Sequence, residues 1–201
     1  QGVYIGISSQ LSATIQTSRL ALAELDGQDI RIIDSLNLST GIGYLALQAA
    51  DLRDAGKNLD EIAAEVQANV PKIRTSFIID TMDYLYKGGR CTALQAIFGS
   101  MLKIRPVIEV RQDGTLGIKD KIRGARSKAL QSLLDDFRAN LDKIDLRRVF
   151  VTRTDCQEDA EFLKAELLKI APIQEVLITT AGATIASHCG PGTIGILYSL
   201  N

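Results

Sequence analysis

The chain has 201 residues, 46% hydrophobic and 23% charged, a composition that suffices for one large globular domain or two small ones. Its net charge of −1 supplies no global field for nucleic acid or an acidic membrane surface, which excludes those partner classes on charge alone. No apolar run approaches the roughly 20 residues that span a bilayer, so stable membrane insertion is not expected. Cys91, Cys156 and Cys189 are widely spaced and odd in number, which fits neither a metal site nor a disulfide framework and points to a reducing cytoplasm. No signal peptide is expected in the first residues.

Val3 to Ile7 predict a short buried strand. Ser8-Ser9-Gln10-Leu11-Ser12 leads into an amphipathic helix to about Leu25, with Leu11, Ile15, Leu22 and Leu25 at helical spacing. The free N–H groups of such a helix start favour an anion, and the Ser8 and Ser9 hydroxyls can donate to a carboxylate or phosphate. Serines in this place also cap helices, and the residues alone admit both uses. Ile30 to Asp34 predict a second strand, Thr40 to Ala55 a helix stopped by Gly56, and Asn58 to Glu61 a capping box for a helix through about Val70. Ser76 to Ile79 predict a third strand. Alternating strands and helices imply a parallel sheet with helices on its faces.

Gly41-Ile42-Gly43-Tyr44-Leu45-Ala46, with Asp60 and Glu61 beyond it, partly fits a dinucleotide-binding fingerprint. The fingerprint needs a tight strand-to-helix turn, whereas Ser35 to Thr40 intervene here. Glycines that let helices pack closely explain the pattern equally well.

From about Thr81 the character changes. Met82 to Tyr86 predict a short helix broken by Lys87-Gly88-Gly89-Arg90. Thr92 to Ile104 predict a helix with a broad apolar surface: Leu94, Ala96, Ile97, Phe98, Met101 and Leu102. Val107 to Val110, a turn at Gln112-Asp113-Gly114, and Leu116 to Ile118 predict a β-hairpin. Lys119, Lys121, Arg123, Arg126 and Lys128 follow, placed by this reading at the start of a helix through about Leu141. Cations there oppose the helix dipole, so their placement does not serve the helix; such runs usually form a solvated face. Val149 to Val151, Ile173 to Thr180 and Ile194 to Tyr198 predict strands, with a helix over Cys156 to Ile170.

The one histidine, His188, lies in Ser187-His188-Cys189-Gly190-Pro191-Gly192, expected as a tight turn at a sheet rim. Its unperturbed pKa lies near neutrality, so it suits a polar site, although a hydrogen-bonded structural role fits the residue as well. Cys189 follows it directly, and neighbouring side chains in extended structure point apart, which argues against a Cys-His nucleophile pair.

Taken together these segments resemble the DegV family of bacterial fatty-acid-binding carriers, over nearly the whole chain. The residues that carry the resemblance are Ile7-Ser8-Ser9-Gln10-Leu11-Ser12-Ala13-Thr14, Asp34-Ser35 with Gly41 and Gly43, and Tyr84-Leu85-Tyr86-Lys87-Gly88-Gly89-Arg90. Ile104-Arg105-Pro106, Asp113-Gly114, Lys121 with Arg123, and His188 with Gly190-Pro191-Gly192 complete it. Ala13 stands where the family has glycine, and Arg105 where lysine is common. The family also carries an N-terminal segment before the Val3 strand, about 80 residues by analogy. It holds a first strand and a Thr-Ser loop for the ligand carboxylate, so this sequence is expected to be part of a longer protein with an incomplete first domain.

The resemblance implies an α/β protein of two domains: residues 1–80 as part of a Rossmann-like parallel-sheet domain, and residues 81–201 as a second α/β domain with a lipid pocket. It implies a carrier without catalytic activity, cofactor or metal, whose ligand is a long-chain fatty acid. A separate ATP-dependent fatty acid kinase phosphorylates the carboxylate, and an acyltransferase uses the acyl phosphate for phospholipid synthesis. Ser8, Ser9, Arg123 and His188 are the expected head-group residues, where the domains join. Leu94, Ile97, Phe98, Met101 and Leu102 are the expected acyl-chain wall, and Lys87, Arg90, Arg105 and Lys121 the expected kinase-docking face. A sixteen-carbon tail buries about 14 methylenes at about 0.8 kcal/mol each, so the tail supplies affinity while the polar groups set orientation. The competing expectation is a small-molecule enzyme, or a nucleotide- or phosphosugar-binding protein, using the same residues.

Overall fold

In the computed structural model residues 1–90 and 104–201 are described. The chain opens with β1 (Gly2–Gly6), α1 (Thr14–Ala23) and β2 (Ile30–Asp34), and the two strands pair in parallel from Gly2 opposite Ile30 to Gly6 opposite Asp34. This is the β-α-β unit that the alternating pattern predicts. Helices α2 (Thr40–Asp54) and α3 (Leu59–Asn69) pack against these strands and bury Tyr44, Leu45, Ile62 and Val66, together with Ile15 of α1 and Ile33 of β2. The capping box forms as expected: Glu61 N–H donates to Asn58 Oδ1 at 3.0 Å, and Asn58 N–H to Glu61 Oε2 at 2.9 Å.

The remaining elements are β3 (Ile73–Ile78), α4 (Asp83–Lys87), β4 (Ile104–Val110), β5 (Leu116–Arg123), α5 (Arg126–Ala139), β6 (Ile144–Arg153), α6 (Gln157–Ile170), β7 (Glu175–Thr180), α7 (Ala183–Cys189) and β8 (Ile194–Leu200). Six strands form a mixed sheet in the order β5-β4-β3-β8-β6-β7. The third strand therefore does not extend the parallel pair. It pairs antiparallel with β4, Phe77 opposite Ile108, and joins the larger sheet. Periodicity predicts that a strand exists; it carries no information on which strand lies beside it.

The chain divides into two compact units: Gln1–Ile73 with Gln112–Thr115, and Arg74–Arg111 with Leu116–Asn201. The core of the second unit gathers Leu130, Leu133, Leu134 and Phe137 of α5, Leu163 and Leu167 of α6, and Val149, Val151, Ile194, Ile196 and Tyr198 of the sheet. The alternate strand residues Phe77, Phe150 and Leu197 point to the opposite face and are also buried. No helix among the described residues is long and apolar enough to cross a membrane.

Three expectations need correction. Lys119, Lys121 and Arg123 lie on β5, not at a helix start; only Arg126 and Lys128 belong to the first turn of α5. β5 is an edge strand, and charges there block pairing with another chain. Ile104 opens β4 rather than closing a helix, and the rest of the predicted helix, with Leu94, Ile97, Phe98, Met101 and Leu102, lies outside the described residues. His188 sits in the last turn of α7, and the turn begins only at Gly190.

Phe137 is fully buried and meets Tyr198 edge to face, ring centroids 5.3 Å apart. Phe137→Ala is expected to destabilise the protein by about 3–5 kcal/mol in urea denaturation.

Candidate functional site

In the first unit two loops leave the carboxyl ends of β1 and β2, the edge where parallel sheets bind ligands. Asp34, the last residue of β2, ties them together. Its carboxylate accepts the Ser9 N–H at 3.3 Å on both oxygens and the Leu36 N–H at 3.0 Å. Ser8 N–H donates to the Asn37 carbonyl at 2.8 Å, while Ser8 C=O accepts from Leu11 and Ser12 and starts the turn toward α1.

Ser8 is completely buried, and its hydroxyl donates to the Gly114 carbonyl at 2.8 Å while accepting the Gln10 N–H at 3.2 Å. A serine has one hydroxyl proton, so Ser8 can donate to a carboxylate only by releasing Gly114. Ser9 is exposed. Neither serine caps α1, whose N-cap is Ala13 with no side-chain bond.

Of the glycine pair, Gly41 has a structural explanation, while a Cβ at Gly43 would make only ordinary contact with Thr40. A side chain at Gly41 would overlap the amide of Asn37, whose Oδ1 accepts the Leu38 N–H at 3.0 Å. Gly41, the second residue of α2, thus packs against a buried side chain, and the loop before the helix is too long for the dinucleotide turn.

In the second unit the two glycine-rich motifs interlock, because α4 packs against α7. α4 ends in a reciprocal closure: Gly89 N–H donates to Tyr86 C=O at 2.9 Å and Arg90 N–H to Leu85 C=O at 3.1 Å, with Gly89 at φ +70°. A methyl group on Gly88 would overlap the imidazole of His188. A side chain on Gly190, at φ +80°, would strike the ring of Tyr84. The His188 ring is half-buried, and its Nδ1 is buried with no hydrogen-bond partner among the described residues. Among the described residues no carboxylate hydrogen-bonds this nitrogen.

The turn after α7 is gripped by Arg126. Its Nε donates to Asp159 at 2.6 Å, Nη1 to Asp80 at 2.8 Å and Nη2 to the Gly192 carbonyl at 2.6 Å. Burial opposes the charge, but the Asp159 hydrogen bond and the two carboxylates outweigh it and raise the pKa above the ordinary arginine value. Arg105 also donates to Asp80, at 3.3 Å, and to the Gly124 carbonyl at 2.6 Å. Of the expected docking cations, Arg105 is thus committed internally, while Lys87, Arg90 and Lys121 are exposed. Arg123 ends β5 opposite Ile104, exposed and without an ion-pair partner among the described residues. No cluster of three or more His, Cys, Asp or Glu among the described residues could hold a metal ion. Sequence reasoning missed Asp80 and the role of Arg126; an acidic residue just past a strand was the available signal.

Gly88 has φ −75°, open to any residue, so Gly88→Ala tests the overlap with His188, with a lesser tight contact to the Tyr84 carbonyl. We expect a loss of about 1–3 kcal/mol in urea denaturation, against almost none for Gly2→Ala, where a Cβ meets nothing within 4 Å.

Burial pushes the Cys189 thiol from its ordinary 9.0 up to about 11, so it is not a nucleophile at neutral pH. The folded protein keeps a proton that the unfolded chain releases above pH 9.0; stability is full below that value and falls as pH rises toward about 11. Cys189→Ala is expected to remove about 2–3 kcal/mol of this pH dependence, read as urea midpoints compared with wild type across the range.

The DegV family, described as one of uncharacterised proteins, matches residues 2–201. A DegV domain-containing protein of Streptococcus pyogenes is 38% identical over 199 residues, which is 96% of this chain and 68% of the relative. One from Clostridium perfringens is 34% identical over 200 residues, 98% of this chain and 68% of the relative. Among solved structures, that describing fatty acid binding of a DegV family protein from Thermus thermophilus matches at TM-score 0.90 and 30% identity, over 99% of this chain and 70% of that one. The B3 protein of the Streptococcus pneumoniae fatty acid kinase, loaded with linoleic acid, shares the fold at TM-score 0.87 and 22% identity, over 99% of this chain and 71% of that one. With an α/β fold in common and relatives above 30% identity along nearly its whole length, the chain belongs to the DegV family.

Proposed function

We propose that the protein holds one long-chain fatty acid and, without catalysis of its own, presents the carboxylate to a separate ATP-dependent kinase. The acyl phosphate then passes to an acyltransferase for phospholipid synthesis. The observation that carries the fatty-acid reading is the likeness to the Thermus thermophilus fatty-acid-binding protein over 99% of this chain. Head-group residues are proposed within each unit separately. In the first unit the Ser9 hydroxyl is exposed at the Asp34-bound loop, and Ser8 reaches a carboxylate by exchanging its bond to Gly114. In the second unit the buried, unpartnered Nδ1 of His188 supports a polar ligand atom beside that ring, since an unpaired buried nitrogen is costly. Arg123 supplies a permanent charge whose planar fork suits a phosphoryl group. Lys87, Arg90 and Lys121, exposed cations, are the proposed docking charges for an acidic kinase face. The tail pocket is proposed for Leu94, Ile97, Phe98, Met101 and Leu102.

Organic extracts of the purified protein are expected to contain a fatty acid in stoichiometric amount, by mass spectrometry. Extracts free of acyl species, with no calorimetric binding of added oleate, would overturn the reading. With the kinase present, Arg123→Ala and His188→Ala are each expected to slow acyl-phosphate formation by about tenfold or more, the effect of losing a charged hydrogen bond. Oleate affinity is expected to fall less, because the tail supplies most of it.

A further inference from the structure

Asp80 follows β3 and is shared by two arginines, Arg126 Nη1 at 2.8 Å and Arg105 Nε at 3.3 Å. Each arginine holds a backbone carbonyl with another N–H: Arg126 that of Gly192 and Arg105 that of Gly124, both at 2.6 Å. Gly124 directly follows Arg123 at the end of β5, which anchors Arg105 and through it the carboxylate. Gly192, at φ +74°, ends the turn that leaves the His188 helix, and a Cβ there would overlap the Asp80 carboxylate. The turn backbone therefore lies directly on Asp80 and is also bound through the arginine that Asp80 orients.

We propose that Asp80 is a positioning residue for His188, holding the turn at the end of α7 so that the imidazole stays against Gly88. Without this charge two guanidinium groups face one another, and the Arg126 fork is held on the Gly192 carbonyl only from its Asp159 side. Both arginines donate to the same carboxylate oxygen, Oδ1, so an asparagine keeps the shape and that acceptor but loses the charge that holds two guanidinium groups together. What His188 does with its ligand rests on the fatty-acid reading; how it is held does not.

The chain has one histidine, so its imidazole Cε1–Hε1 NMR signal reports on His188 alone. Asp80→Asn is expected to move that signal and weaken oleate binding about tenfold. Glu166→Gln, which removes an ion pair with Lys169 on α6, is expected to change neither. An unmoved signal in folded Asp80→Asn overturns the proposal; a moved signal with unchanged oleate affinity overturns the link between placement and ligand. Should Asp80→Asn fail to fold, Arg126→Lys decides: it keeps a charge but loses the fork on Gly192, and an unmoved signal there again overturns the proposal. Wild-type protein that binds no oleate would sink the fatty-acid reading, while the histidine signal still decides the role of Asp80.

Discussion

Arg126 fastens three parts of the second unit with one planar group: the start of α6 through Asp159, the end of β3 through Asp80, and the approach to β8 through Gly192. The last of these matters most for the architecture. Gly190 and Gly192 both adopt left-handed φ, so the turn between α7 and β8 has little rigidity of its own. It is held from one side by Arg126 and from the other by Thr154, which exchanges backbone bonds with Gly192 and Thr193 at 2.8 Å. From that fixed point β8 runs between β3 and β6 in the sheet. A lysine would offer a point charge; three bonds in three directions need the rigid fork of a guanidinium.

The glycines of the two motifs act mainly through the side chains they lack. Gly88 leaves room for the imidazole of His188, and Gly190 leaves room for the ring of Tyr84. Each motif supplies an aromatic or imidazole ring that fits the other's missing side chain. The first unit uses the same device at Gly41, against the Asn37 amide. Close backbone approach at these glycines thus works beside the long arginine side chains in bringing polar loops together.

The cations divide by position. Lys119 is bound to Asp136 at 2.6 Å, while Arg105 and Arg126 belong to the Asp80 network; these fix structure. Arg123 and Lys121 stand on an edge strand, where charge also guards against pairing with another chain. That guard and a docking role are compatible, since both require exposed charge. Cys189, which follows His188, is buried with its thiol pKa raised, and is poorly suited to act as a nucleophile.

The sequence by itself determined the β-α-β opening, the Asn58 capping box, the glycine breaks and the order of motifs, because these depend on residues close in the chain. Their spacing sufficed for the family. It could not decide that β3 leaves the parallel pair for an antiparallel partner, since strand pairing is set by contacts distant in sequence. Nor could it decide that His188 closes a helix, as a seven-residue helix has too few turns to show a period. The basic run after Ile118 reads as a helix start in sequence, and only the ladder with β4 shows it to be a strand edge. Asp80 and Arg126, separated by 46 positions, carry no local signature; only tertiary folding, which sets a carboxylate between two guanidinium groups, gave them a role.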